Sequence, residues 1–295
     1  MSMLSFALVL GFLGLFFGSF AGAMVWRLRA LQLREDRGAG EPVTKAESTQ
    51  VRHIKRTKLT DDRSVCLKCG HRLAWFDLIP IISWLQLGGK CRYCHKAIGW
   101  TEPLLELSVS TFFVVSYIFW PYPLDSTIAI LQLALWMVAG VGLAILFVYD
   151  SKWFLLPDRV MFVLVGLAAL FSLTTLDGLE NPLPQLMNIG MAVIVLSGLY
   201  YLIYVFSRHQ WVGFGDVKLG LVLALLLADW RLALLALFLA NLVGTLVMLP
   251  MMLSGKLKRG AHVPFGPFLI AGWLLSGLFG AQIIDWYLLF TLGST

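Results

Sequence analysis

The chain has 295 residues, of which 59% are hydrophobic and 14% charged, with 23 Lys and Arg against 17 Asp and Glu. Its mean hydropathy is +0.80, and a soluble domain would hold nearer a quarter charged residues, so soluble globular and disordered chains are both excluded. The positive balance does not point to nucleic acid. Fifteen of the 23 basic residues lie between Arg27 and Glu102, beside the first apolar stretch, where cytoplasmic retention and contact with anionic lipid account for them.

In chain order, the apolar runs long enough to cross a hydrocarbon core begin with 3–26. No basic residue precedes this run, it is long for a cleavable signal, and Arg27 and Arg29 follow at once, which predicts a retained span with its N-terminus outside. The runs at 104–120, 127–149, 160–176, 186–206, 217–229, 231–253 and 267–291 bring the expected count to eight, or to seven or nine if the short sixth run is divided differently. Backbone groups in lipid must be satisfied within each segment, and the runs are too long and too uniformly apolar for barrel strands. The expected fold is therefore an all-α polytopic membrane protein. With the N-terminus outside, the segments 27–102, 150–159, 207–218 and 254–266 face inward and hold 22 of the 23 basic residues. Arg231 falls outside, while Asp125, Asp177, Glu180 and Asp229 sit in or beside outer turns. This split predicts both termini outside.

The loop 27–102 is the one sizeable soluble element. Its first part, 34–62, is charged and poor in aromatics, and is expected to be solvated or loosely ordered. Its second part, 65–100, holds Cys66, Cys69, Cys91 and Cys94 as two C-x2-C pairs with 21 residues between them. Two such knuckles can close four thiolates around Zn²⁺, leaving no open position for water, so the metal is expected to be structural. A disulfide is disfavoured by a reducing cytoplasm. A DNA-binding zinc ribbon is the sharper alternative, but Trp75, Trp84 and Leu85 suit a module lying on the protein or on lipid.

Acidic residues at the ends of membrane spans need a reason. Asp150 closes the third expected span, Asp158 follows in Leu155-Leu156-Pro157-Asp158, and Asp216 opens the sixth in Gly213-Phe214-Gly215-Asp216-Val217-Lys218. All three fall at cytoplasmic ends, where water can enter. Two carboxylates brought together can share a proton, one acting as general base toward water and the other as general acid toward the scissile amide. The competing reading is that each Asp caps a helix, and Asp158, just before an apolar run, looks most like an N-cap. Arg159 and Lys218 mark the inner surface, and His262 precedes the stiff break Val263-Pro264-Phe265-Gly266-Pro267-Phe268.

Six motifs, in order along nearly the whole chain, resemble the prepilin peptidases, the type IV leader peptidases of pilus and type II secretion systems. They are Gly18-Ser19-Phe20 with Arg27-Leu28; the cysteine pairs around Ile79-Pro80-Ile81-Ile82-Ser83-Trp84-Leu85; Glu102-Pro103-Leu104-Leu105-Glu106; Asp150 with Leu156-Pro157-Asp158; the glycine-flanked Asp216 motif; and Pro264-Phe265-Gly266-Pro267-Phe268. The resemblance implies that Asp150 and Asp216 are the catalytic pair. It also implies cleavage after a Gly that ends a short basic leader, usually before Phe, and then methylation of the new amine with S-adenosylmethionine. Gly89 takes the position linked to methyl transfer, or cofactor binding. The implied layout is a first span at 1–26, a methyltransferase-associated cytoplasmic loop at 27–102 and a seven-helix peptidase domain at 103–295, in the cell inner membrane with the active site facing the cytoplasm. The expected partners are prepilins or pseudopilins and membrane lipids, with a homodimer compatible and no nucleic acid. Departures from the family pattern occur at Tyr149-Asp150-Ser151, Cys66-Leu67-Lys68-Cys69 and Trp100-Thr101-Glu102-Pro103, the last in the part linked to methyl transfer. The alternatives are a leader peptidase without methyl transfer, a proton-coupled transporter, and a scaffold presenting a zinc module.

Overall fold

The computed structural model describes residues 3–54, 64–255 and 263–293; His262 lies outside them. Among the described residues the chain is helical, with no strand beyond two isolated β-bridges, Val65 with Arg72 and Lys90 with Ala97. It divides into two compact units, Met1–Val115 and Ser116–Thr295, a boundary inside the second long helix and later than the expected break at 102.

The first unit holds α1 (Met3–Gly38), α2 (Lys45–Val51), α3 (Ile82–Gln86) and most of α4 (Thr101–Ile118). α1 does not stop where its apolar run ends. From Arg27 to Arg37 the chain is largely Arg, Leu, Ala, Gln and Glu, all good helix formers with no Gly or Pro among them, so the helix continues to Gly38. This corrects the expectation of a loose segment from residue 34, as far as Ile54. Ala30 and Leu33 on α1 bury against Val51 and Ile54, with Trp26, Val43, Val65 and Leu67 packed around them. Arg29 pairs with Glu47 at 2.7 Å, and Arg34 donates to the Ile54 carbonyl. A few apolar residues at helical spacing inside a charged run are enough to seat α2.

α1 meets α4 through small residues. A Cβ on Gly14 would lie 2.6 Å from the Ser110 Cα, and one on Gly18 would lie 2.5 Å from the Glu106 Cα. Ser110 Oγ donates to the Gly11 carbonyl at 2.8 Å. Lipid offers no hydrophobic force between helices, so close backbone approach and hydroxyl-to-carbonyl bonds carry the association.

The second unit holds α5 (Thr127–Trp153), α6 (Asp158–Thr174), a continuous helix formed by α7 (Leu183–Val193), a π turn (Ile194–Gly198) and α8 (Leu199–Phe206), then α9 (Phe214–Leu227), α10 (Trp230–Leu253) and α11 (Gly266–Leu292). The same grammar holds here. Ser172 donates to the Leu225 carbonyl and Ser276 to the Leu232 carbonyl, each at 2.6 Å, and the stacked rings of Trp136 and Trp273 have centroids 3.9 Å apart. Large apolar side chains such as Phe162, Phe238 and Leu246 stay exposed on these helices, as lipid-facing residues do.

Five described helices are long and apolar enough to cross a membrane: Met3–Gly38, Thr127–Trp153, Leu183–Phe206, Trp230–Leu253 and Gly266–Thr291. The spans expected at 104–120, 160–176 and 217–229 fall on α4, α6 and α9, helices of 18, 17 and 14 residues. α4 carries two glutamates, and the other two fall short of the roughly 20 residues of a full crossing. Eight crossings therefore remain a proposal.

Replacing Gly18 with Leu is expected to force α1 away from α4 and destabilise the protein by about 1–3 kcal/mol, the usual cost of overpacking. A thermal melt in detergent checks this, with Gly166→Leu as the comparison, since that glycine is exposed on its helix and a Cβ there meets nothing within 4 Å.

Candidate functional site

Asp150 lies in the last turn of α5 and is buried. Its Oδ2 accepts from the Gly266 amide at 3.0 Å, in a buried contact. Gly266 opens α11, so the carboxylate faces the electropositive end of a long helix. The site also requires glycine, because a Cβ at 266 would lie 2.8 Å from the same oxygen. Asp216 sits half-buried in the first turn of α9, and its amide donates to the Gly213 carbonyl at 3.1 Å. The two carboxylates interact electrostatically, and the Asp216 charge also reaches the Tyr200 hydroxyl. Tyr200 is buried and packs its ring 5.7 Å from that of Phe265. α5, α8, α9 and the start of α11 thus converge on one acidic site.

Close packing against the π turn anchors α9, which carries Asp216. A Cβ on Gly220 would lie 2.7 Å from the Leu196 carbonyl in the π turn, and Ser197 Oγ donates to the Val217 carbonyl at 2.9 Å. Gly215 leaves room for Leu156, whose side chain a Cβ would approach at 3.1 Å. π turns recur beside functional sites because they re-aim a helix locally. The reading of Asp158 as an N-cap is corrected. It is the first residue of α6, and its carboxylate pairs with Lys218, whose ammonium also lies 5.3 Å from the Phe214 ring centre. A pairing across sixty residues is beyond the reach of local pattern.

The four cysteines gather in the first unit, with all Sγ atoms within 4.8 Å of one another. Cys66 and Cys94 Sγ are 3.9 Å apart, close to the roughly 3.8 Å edge of a tetrahedron with 2.3 Å metal–sulfur bonds. The donor set and spacing fit zinc. The two knuckles share one backbone design. Cys66 N donates to His71 O and Gly70 N to Cys66 O, and Cys91 N donates to Lys96 O and His95 N to Cys91 O. Each turn needs a left-handed residue just after its second cysteine, filled by Gly70 at φ 75° and by His95 at φ 54°. Burial pushes the Cys66 thiol up to about 12, so a metal taken up here displaces thiol protons.

Around the knuckles, His71 stacks on Tyr93 with ring centroids 3.6 Å apart. Asp77 accepts from Arg92 Nε at 2.8 Å, from Tyr93 Oη at 3.1 Å and from the Ala74 amide at 3.2 Å. Burial alone would raise the Asp77 carboxyl, but these donors hold it below the usual carboxylate range. Gly89 is buried, with φ 70°, and a Cβ on it would lie 2.8 Å from the Trp84 ring. Gly266 lies in a break that the sequence marks, but its bond to Asp150 does not show there; Tyr200 and Asp77 carry no signal of their own, because each depends on a partner on another element.

A helical membrane chain with a four-cysteine module and two carboxylates at helix ends, within electrostatic reach of each other, defines a class, a polytopic membrane protein with an acidic site. Residues 12–120 match the bacterial peptidase A24 N-terminal domain, and residues 137–249 match the type IV leader peptidase family. The chain is 33% identical to a prepilin leader peptidase/N-methyltransferase of Aeromonas salmonicida over 97% of its own length and 94% of the relative's. It is 31% identical to one from Pseudomonas aeruginosa over 97% and 95%, and 31% identical to one from Bacillus subtilis over 78% and 87%. No solved structure matches it. The chain belongs to the type IV leader peptidase family.

Metal analysis of the purified protein is expected to give one zinc per chain, lost when Cys91 is replaced by Ser. Asp77→Ala should speed zinc loss to a chelator without changing the amount bound at the outset. Because the Asp77 carboxyl is lowered, its contribution is present above the ordinary carboxylate range and fades as pH falls through the lowered value.

Proposed function

We propose that this chain is an inner-membrane enzyme that removes the short basic leader from type IV prepilins or pseudopilins and then methylates the new N-terminal amine with S-adenosylmethionine. The carrying observation is the joint placement of Asp150 and Asp216 at helix ends, in a chain whose relatives are prepilin leader peptidase/N-methyltransferases.

The catalytic pair is Asp150 and Asp216. One carboxylate takes a proton from the attacking water, and the other donates a proton toward the scissile carbonyl and departing amine. The Gly266 amide holds the Asp150 carboxylate in place, so the pair keeps its geometry through proton exchange. The anionic inner leaflet attracts the basic leader, as it does the basic segments read as inward-facing, and so holds the leader at the cytoplasmic face. The topology has both termini outside and the active site opening to the cytoplasm. Zinc in the Cys66, Cys69, Cys91 and Cys94 site is structural, since four thiolates leave no position for a catalytic water.

A peptide carrying a basic leader, a Gly–Phe junction and the following apolar segment is the substrate to use, with mass spectrometry as the readout. Asp150→Asn and Asp216→Asn are each expected to lower the cleavage rate by about 10²–10⁴, the range for loss of one acid–base partner, while the melting temperature stays close to that of wild type. Cleavage by either variant near the wild-type rate would remove the assignment.

A further inference from the structure

The first unit contains a cavity of about 450 Å³, within the size range of small-molecule sites. Trp26, Trp84, Glu102, Glu106, Arg27 and Lys68 are among the residues that line it. Two of its acids are oriented by the fold. Glu106 is buried and accepts from the Ile81 amide at 2.7 Å. Glu102 accepts from Trp26 Nε1 through Oε1 at 2.9 Å, while its Oε2 is buried and has no hydrogen-bond partner. An unpartnered carboxylate oxygen in such a place costs stability unless something cationic meets it.

An indole also lines the cavity. Trp84 is held by its Nε1 donating to the Gly99 carbonyl at 3.0 Å and by contact with Trp100, their ring centroids 4.5 Å apart. It can lie there only because Gly89 behind it has no side chain. Gly89 itself does not line the cavity; it seats the ring that does.

We infer that this cavity holds the methyl donor, with the Glu102 Oε2 facing the sulfonium centre and the Trp84 face packed against the nucleoside. The inference rests on the methyl-transfer reading and gives it a location. Buried carboxylate and indole faces both favour a cation, and Lys68 among the lining residues suits the donor's own carboxylate. In the transfer, the amine lone pair forms the N–CH₃ bond as the S–CH₃ bond breaks. The bonding pair stays on sulfur, giving a neutral thioether, and the extra amine proton leaves to water. Loss of positive charge from the ligand then removes its attraction to Glu102, which favours product release.

The test is calorimetric binding of S-adenosylmethionine and of its uncharged thioether product to the full-length, zinc-loaded protein in detergent, alongside methylation of the cleaved peptide. Wild type should bind the sulfonium more tightly than the thioether. Glu102→Gln, which keeps an acceptor for Trp26, should weaken the sulfonium at least about tenfold and the thioether by less than about twofold. Gly89→Ala, which displaces Trp84, should weaken both. If Glu102→Gln and Trp84→Ala bind both ligands like wild type while wild type methylates the peptide, the location is wrong and methyl transfer stands. Equal losses for the two ligands in Glu102→Gln would remove the counter-ion role. A wild type that binds neither ligand and methylates nothing would overturn the methyl-transfer reading and this inference together.

Discussion

A carboxylate at the buried end of a membrane helix must be met by donors, and for Asp150 the Gly266 amide does this at 3.0 Å. Much of the second unit follows from that contact. It fixes the start of α11 against the end of α5, and it demands a glycine where α11 begins, because any Cβ there would enter the carboxylate. α9 is then held by the π turn behind it, through the Ser197 hydroxyl and the close approach at Gly220, so that Asp216 comes within electrostatic reach of Asp150. The neighbouring helices are joined by small residues and by hydroxyl groups donating to carbonyls, the bonds available where water is absent.

The first unit solves a different problem. Its residues 64–100 leave most of their apolar side chains exposed, Trp75, Ile82 and Leu85 among them, and so bury too little to form a core that holds itself. It relies instead on four sulfurs that can close around a cation, and on polar ties that run between turns. Asp77 gathers the second knuckle, and His71 on Tyr93 joins the two. The repeated backbone pattern of the knuckles explains why one uses glycine and the other tolerates histidine in a left-handed conformation. The tie at His95 runs from its own amide to Cys91 O, and the fold imposes the turn at a residue that disfavours it.

Run length and composition made the long helices legible in the sequence, and spacing made the cysteine cluster legible. The carboxylates were visible as charges at the ends of apolar runs, yet nothing local showed what would hold them. The bond from Gly266 to Asp150 spans 116 residues, and the pairing of Lys218 with Asp158 spans 60. A residue's best local role, such as the capping of α6 by Asp158, loses to a distant partner of opposite charge. The full length of α1 is hidden for the reverse reason. Its charged continuation hides Ala30 and Leu33, whose value appears only when Val51 and Ile54 are folded against them. Gly89 is marked only by the family resemblance, and its service to Trp84 shows only with the ring's position.

The π turn at Ile194–Gly198 carries a consequence for how the long helix through Leu183–Phe206 is aligned. Ala192, Leu196 and Tyr200 are all buried at intervals of four. In a regular α-helix each step of four residues drifts by about 40° around the axis, so such a stripe would wind away from its neighbour. The wider turn winds this drift back and keeps one face pointed inward over both halves. The helix therefore behaves as two α segments joined by a phase correction, with Tyr200 on the buried side and within electrostatic reach of Asp216.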